Sequence, residues 1–142
     1  MSGITLAQAI AIISGAMAKA AELQLQPMGI AVLDAGGHLI AFQRQDGAST
    51  LRPQIAVGKA AGALALGVSS RKIAEMAAER PSFVASLGAL ARDGVVPAAG
   101  GIIVRSPDGS PLGAVGVTGD VSDQDEVCAL AGVAAAGLSA QA

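Results

Sequence analysis

The chain has 142 residues, one cysteine, one histidine and a formal charge of −2, which fits a single domain spanning residues 1–142 around one core. The acidic balance lacks the clustered basic face that nucleic-acid binding needs, and with Phe42 and Phe83 as the only aromatic residues there are no base-stacking platforms. No apolar run approaches the ~18 residues of a membrane span, no basic-then-apolar leader is expected, and a lone Cys128 fits a small buried hydrophobe in a reduced, cytoplasmic setting.

Taken in chain order, Thr5 stands where it can cap a first helix. Leu6, Ala9, Ile10, Ile13, Met17 and Ala20 recur there at three- and four-residue spacing, with Gln8, Lys19 and Glu22 mostly off the stripe. The helix ends before Pro27, and strands are predicted at about Met28–Leu33 and His38–Gln43, joined through Asp34-Ala35-Gly36-Gly37. Arg44–Ser49 reads as a loop. A second helix starts near Ser49 or Thr50, tolerates Pro53 in its first turn and runs to about Leu66. Gly67–Ser70 interrupts it, Arg71–Glu79 forms a short helix, and Arg80-Pro81 separates that from helical turns over Ser82–Ala91. A second hairpin covers Gly100–Val117, with Pro107 and Asp108-Gly109 supplying the turn. Ser122 is expected to cap a last, alanine-rich helix to about Leu138, with Asp125 as its capping-box-like partner. Two hairpins separated by helices predict an α+β fold with an antiparallel sheet. The nineteen glycines imply close approach of helices and sheet. The apolar composition exceeds the needs of so small a core, which predicts a homo-oligomer.

Lys59 is the sharpest single residue. It is the only charge between Arg52 and Arg71 and sits among Ala56-Val57-Gly58 and Ala60-Ala61-Gly62-Ala63, so it is either a snorkelling edge lysine or a site cation. Arg52, seven positions earlier, shares its helical face, and Arg44 comes from the preceding strand. Cations converging there would hold a carboxylate, the arginines through their planar forks; the alternative is a set of solvated or salt-bridged surface cations. Asp120, Asp123, Asp125 and Glu126 gather at a helix start, where carboxylates complement the backbone dipole. Glu126 is the candidate general base or partner of Lys59. The spacing fits no EF-hand loop and no His or Cys accompanies it, so no metal site is expected. Pro97-Ala98-Ala99-Gly100-Gly101 offers backbone N–H groups to an anionic ligand. Together these place Arg44, Lys59, Gly100, Gly101 and Glu126 around one expected cavity between the sheet and the second helix.

Several segments, in order over nearly the whole chain, resemble the GlcG/HbpS-like family. They are Val32–Leu39, Arg44–Ala48, Lys59-Ala60, Pro97 with Gly100-Gly101, Leu112–Val117 and Asp125-Glu126. That family includes haem-binding sensor proteins and the C-terminal domain of PduO-type cobalamin adenosyltransferases. The resemblance implies a profilin-like fold, a five-stranded antiparallel sheet between helices in α/β/α layers, and assembly into dimers or larger oligomers. It implies a small-molecule ligand, haem in some members. No histidine on the first helix is available to carry over as a haem ligand, because the one histidine, His38, lies in a hairpin turn; specific haem binding by the isolated chain is expected to be weak or absent. The leading expectation is a binding protein for an organic acid or haem-like carboxylate, contacted by Arg44, Arg52, Lys59, Pro97, Gly100, Gly101 and Glu126. One competing class is a cofactor-independent isomerase, tautomerase or hydrolase of a small catabolic carboxylate, with Lys59 stabilising charge and Glu126 as base. The other is a non-catalytic oligomeric interaction module.

Overall fold

In the computed structural model, which describes residues 3–141, helix α1 (Leu6–Glu22) leads into a hairpin of β1 (Gly29–Asp34) and β2 (Leu39–Arg44). Helices α2 (Arg52–Leu66), α3 (Ser70–Glu79) and α4 (Pro81–Leu90) precede the second hairpin, β3 (Gly101–Arg105) and β4 (Pro111–Thr118). Helix α5 (Ser122–Ala135) and strand β5 (Ser139–Gln141) follow. The strands form one antiparallel five-stranded sheet in the order β2-β1-β4-β3-β5, the α+β architecture that the resemblance implied. The two hairpins join through β1 and β4, in register from Gly29 opposite Thr118 to Asp34 opposite Gly113. Among the described residues, no helix is long and apolar enough to cross a membrane.

The two faces of the sheet are packed differently. Ile30, Val32, Ile102, Val104, Val115 and Val117 meet Ile12, Ile13, Cys128 and Val133 of α1 and α5 in the main core. On the opposite face Leu33 and Ala114 meet Ala60 of α2. This second layer is thin because small residues let the α2 backbone lie directly on the strands. A methyl group on Gly116 would fall 1.9 Å from the Ala56 carbonyl oxygen, and one on Gly101 would fall 2.3 Å from that of Lys59.

Thr5 caps α1 in a reciprocal box with Gln8. The buried arc of that helix, however, is Ala9, Ile12, Ile13, Ala16 and Ala20. Leu6 and Ile10, which the spacing puts on the stripe, are 62% and 40% exposed, because α1 turns toward α5 as well as the sheet, with Gly132 pressed against the Ile12 carbonyl. Helix α2 starts at Arg52, after a turn in which the Arg52 N–H reaches the Ser49 carbonyl. Helix α5 is capped at Val121 and not Ser122, without a side-chain cap. The expected Ser122–Asp125 box does not form because Asp125 turns inward, and α5 stops at Ala135, short of Leu138. Strand β5, which the residues did not announce, pairs with β3.

Candidate functional site

The close packing of α2 decides where its long side chains go. With no room above the sheet, Lys59 runs along it to the end of β4, where Nζ donates to the Val117 carbonyl (3.0 Å) and to Asp125 Oδ2 (3.0 Å). Both partners of this ion pair are buried, Lys59 2% and Asp125 1% exposed. Asp125 Oδ1 accepts the Asp120 N–H at 2.9 Å. Gly100, at φ +129°, closes over the pair: a methyl group there would lie 2.4 Å from the Val117 oxygen and 3.0 Å from Lys59 Nζ. The Gly101 N–H donates to Ser70 Oγ at 2.7 Å. Burial pushes the Lys59 ammonium below its ordinary range and the Asp125 carboxyl above its own, while their mutual attraction opposes both shifts.

One residue further along α5, the chemistry differs. Glu126 is rotated by about 100° around the helix from Asp125 and pairs with Arg71 Nε (3.0 Å), whose Nη2 also reaches Asp123 (2.6 Å). These carboxylates hold the Arg71 guanidinium above its usual pKa. Glu126 is therefore not the partner of Lys59; that place is taken by Asp125. Pro97 lies beside Arg71, lining a cleft of about 390 Å³ with Ala98, Ala99, Ser122 and Asp123. The single cavity expected around Arg44, Lys59, Gly100, Gly101 and Glu126 is not formed. Lys59, Gly100 and Gly101 come together under cover, while Glu126 and Pro97 stand on the Arg71 side.

Arg44 and Arg52 form a third grouping, on the α2 face at the end of the sheet. Arg44 pairs across β1 with Gly29, and Gly29 pairs with Thr118, so the three side-chain positions share one face with a gap at the glycine. Arg52 fills the space over that gap: a methyl group on Gly29 would lie 3.0 Å from Arg52 Cβ and 3.3 Å from the ring of Phe42. Adjacent strands bring the Arg44 backbone to roughly 5 Å from Gly29. Arg52 Nη1 donates to Thr118 Oγ1 at 2.6 Å and Arg44 Nη1 donates to the Ala48 carbonyl at 3.1 Å. Among the described residues neither arginine has a carboxylate partner, a state they share with Lys72, Arg80 and Arg105, whereas Lys19, Lys59, Arg71 and Arg92 are paired. Sequence reasoning named both arginines but missed Phe42 and Gly29, whose part depends on strand register.

The other reactive side chains lie elsewhere. His38 sits in the β1–β2 turn with Nδ1 3.2 Å from Asp34 Oδ1. Cys128 is buried in the core on the α1 and α5 face, and burial pushes its thiol up to about 11.

The family described as haem degrading protein HbpS-like matches residues 4–134 of the chain. Among solved structures, protein ORFY of Klebsiella pneumoniae is similar at 27% identity and a TM-score of 0.84, over 94% of this chain and 90% of that one. A double mutant of Streptomyces reticuli HbpS is similar at 28% identity and a TM-score of 0.80, over 93% and 86%. A complex of PduOC with haem shares the fold at 21% identity and a TM-score of 0.84, over 99% of both chains. No curated protein matches the chain.

Proposed function

The chain belongs to the HbpS-like haem degrading protein family, and from that premise we propose that it binds a carboxylate-bearing small molecule, an organic acid or a haem-type ring, through Arg44 and Arg52. The observation that carries this reading is the pair of arginines without carboxylate partners, set around Gly29 and next to the Phe42 ring. An arginine has five N–H donors in a planar fork. One donor of each is anchored, to Ala48 or to Thr118, which orients the guanidinium and leaves donors for a ligand. Anchoring of this kind lowers the ordering penalty of binding. The Phe42 ring supplies apolar surface, as small-molecule sites need beside their few polar groups.

Haem makes two demands, and the residues meet one. Its carboxylates and apolar ring suit the arginines and Phe42. Its iron, in proteins, is held by imidazole, thiolate, phenolate, or a thioether paired with imidazole. The chain has no tyrosine, its one cysteine is buried on the opposite face, and its one histidine lies in the far turn. The residues at this site therefore fit the edge and the ring of a haem but not the ligation of its iron.

The test is a titration of haem and of small mono- and dicarboxylic acids, by absorbance and calorimetry, against the wild type, Arg44→Ala and Arg52→Ala. Loss of a charge-assisted hydrogen bond weakens binding by about 1.5–3 kcal/mol. Arg44→Ala is the cleaner variant, because Arg52 also ties α2 to Thr118. Affinities unchanged in both variants would overturn the reading.

A further inference from the structure

We propose that helices α3 and α4 form a lid, hinged at Gly67 and Gly94 and latched by Arg71, that opens and closes the cleft between α3 and residues 97–99. Among the described residues, neither cluster of core side chains includes any residue between the two glycines. Helix α4 packs against no helix or strand but α3, and only its Val84 is buried. Helix α3 meets the body through α2 and β3, with Ile73 as its one buried apolar residue. A segment that adds so little to the core separates from the body at less cost than unfolding the whole chain.

The ends of the segment suit hinges, which are few residues that absorb a change of backbone angle. Gly67 and Gly94 hold φ of +73° and +81°, and a methyl group on either meets nothing within 4 Å. Past Gly94 the chain belongs to the body again: a methyl group on Gly58 would lie 2.7 Å from Val96 Cγ2. Arg92, beside that hinge, is tied to the Gly37 carbonyl at 3.3 Å. The first turn of α3 carries the ties that rotation at Gly67 must break. Ser70 Oγ accepts the Gly101 N–H, and Arg71 pairs with Glu126 and Asp123 of α5. Ser69 Oγ is buried there with no hydrogen-bond partner among the described residues, so closure leaves one polar group dry that opening returns to water. The cleft of about 390 Å³ lies along the line of separation, with Ala74 and Ala78 of α3 on one wall and residues 97–99 on the other.

Hydrogen exchange of the full chain, read by mass spectrometry, tests the hinge, and thiol labelling of Ala99→Cys tests the cleft. Amides of α3 and α4 should exchange together, at least about tenfold faster than those of β1 and β4. Arg71→Gln, or about 0.5 M salt on the wild type, should speed them by a further three- to tenfold or so and leave β1 and β4 within about twofold. Ala99 is 4% exposed, so the Ala99→Cys thiol, told apart from Cys128 by peptide mapping, should label faster by the same factor once Arg71→Gln is added. Exchange of α3 and α4 at the rate of β1 and β4 in the wild type would overturn the proposal, and so would exchange of α4 independent of α3. Acceleration spread evenly over the chain in Arg71→Gln would also overturn it, as would Ala99→Cys labelling indifferent to that change.

Discussion

The buried Lys59–Asp125 pair permits a sharp test by removing one charge. In Asp125→Asn the shape is kept, the Lys59 ammonium loses its counter-charge, and 2% exposure leaves little water to replace it. Breaking a buried pair from one side destabilises by about 3–5 kcal/mol. The lysine can escape by giving up its proton, which sets a ceiling. From its ordinary value of 10.5, deprotonation at pH 7 costs about 5 kcal/mol at 1.36 kcal/mol per unit. Where the variant's native Lys59 gives up its proton, the unfolded chain still stays protonated below pH 10.5. The unfolded state then binds more protons, so stability rises with pH. The gap between wild type and Asp125→Asn should therefore narrow by about 1.4 kcal/mol per unit from pH 7 toward pH 10. Urea unfolding followed by circular dichroism at pH 7, 8, 9 and 10 measures it. Lys59→Met is the mirror image: the stranded Asp125 carboxyl escapes by taking a proton, so its penalty should shrink as pH falls from 7 toward 4. The double variant Lys59→Met/Asp125→Leu should recover most of the loss, since an apolar pair of similar volume replaces the ions. A penalty below about 1 kcal/mol, or one that does not change with pH, would refute the claim that both groups are buried as ions.

Gly100→Ala should destabilise by about 2–4 kcal/mol in the same assay, since φ is +129° and the new methyl meets the Val117 oxygen at 2.4 Å; a change under about 0.5 kcal/mol would sink the account of a backbone closed over the ion pair. Asp120 accepts the Gln26 and Val121 N–H groups, which hold its carboxyl below the ordinary 3.8. Its contribution is present above pH 3.8 and is lost as pH falls through the lowered value, so Asp120→Asn should show less further loss of stability in that acid range than wild type, measured by acid unfolding. Cys128, buried with its thiol pushed up to about 11, should resist a disulfide reagent at pH 8 until urea unfolds the chain, and rapid native labelling would contradict that burial.

The hairpins are legible because their turns are written locally. Gly37 and Gly109 adopt φ +85° and +88° at the positions where glycines near an aspartate signal turns. The Thr5 cap is legible for the same reason. Strand β5 is not: three residues at a sheet edge carry no alternation to read, and only pairing with β3 makes them a strand. The acid that meets Lys59 is within reach of periodicity. Cys128, Ala129, Gly132 and Val133 mark the inward face of α5, and Asp125 lies three or four residues before the first two, on that face. A capping role for Asp125 competes with that reading, and the tertiary partner wins. The placing of Arg52 over Gly29, with Arg44 opposite on the neighbouring strand, is beyond sequence reading, since it needs the β1–β2 register and the landing point of α2 together.

One packing rule explains where Lys59 and Arg52 end up. Arg52, Ala56 and Lys59 stand at i, i+4 and i+7 on α2, the spacing of one helical face. They meet Gly29, Gly116 and Gly101, glycines of three neighbouring strands. Each glycine removes a side chain where the helix crosses, so α2 lies on the sheet at backbone distance and its long inward side chains must run sideways. Lys59, deeper along the helix, runs under Gly100 and is sealed against Asp125. Arg52, in the first turn, reaches the sheet end and stays half-buried against Thr118. The buried cation fastens α2 to β4 and α5, while the outer one is tied to Thr118 through one donor. If Arg52 binds the proposed carboxylate, stability and binding are separable at neighbouring residues of one helix face, because the same close contact that seals one cation leaves the other half-buried at the sheet end.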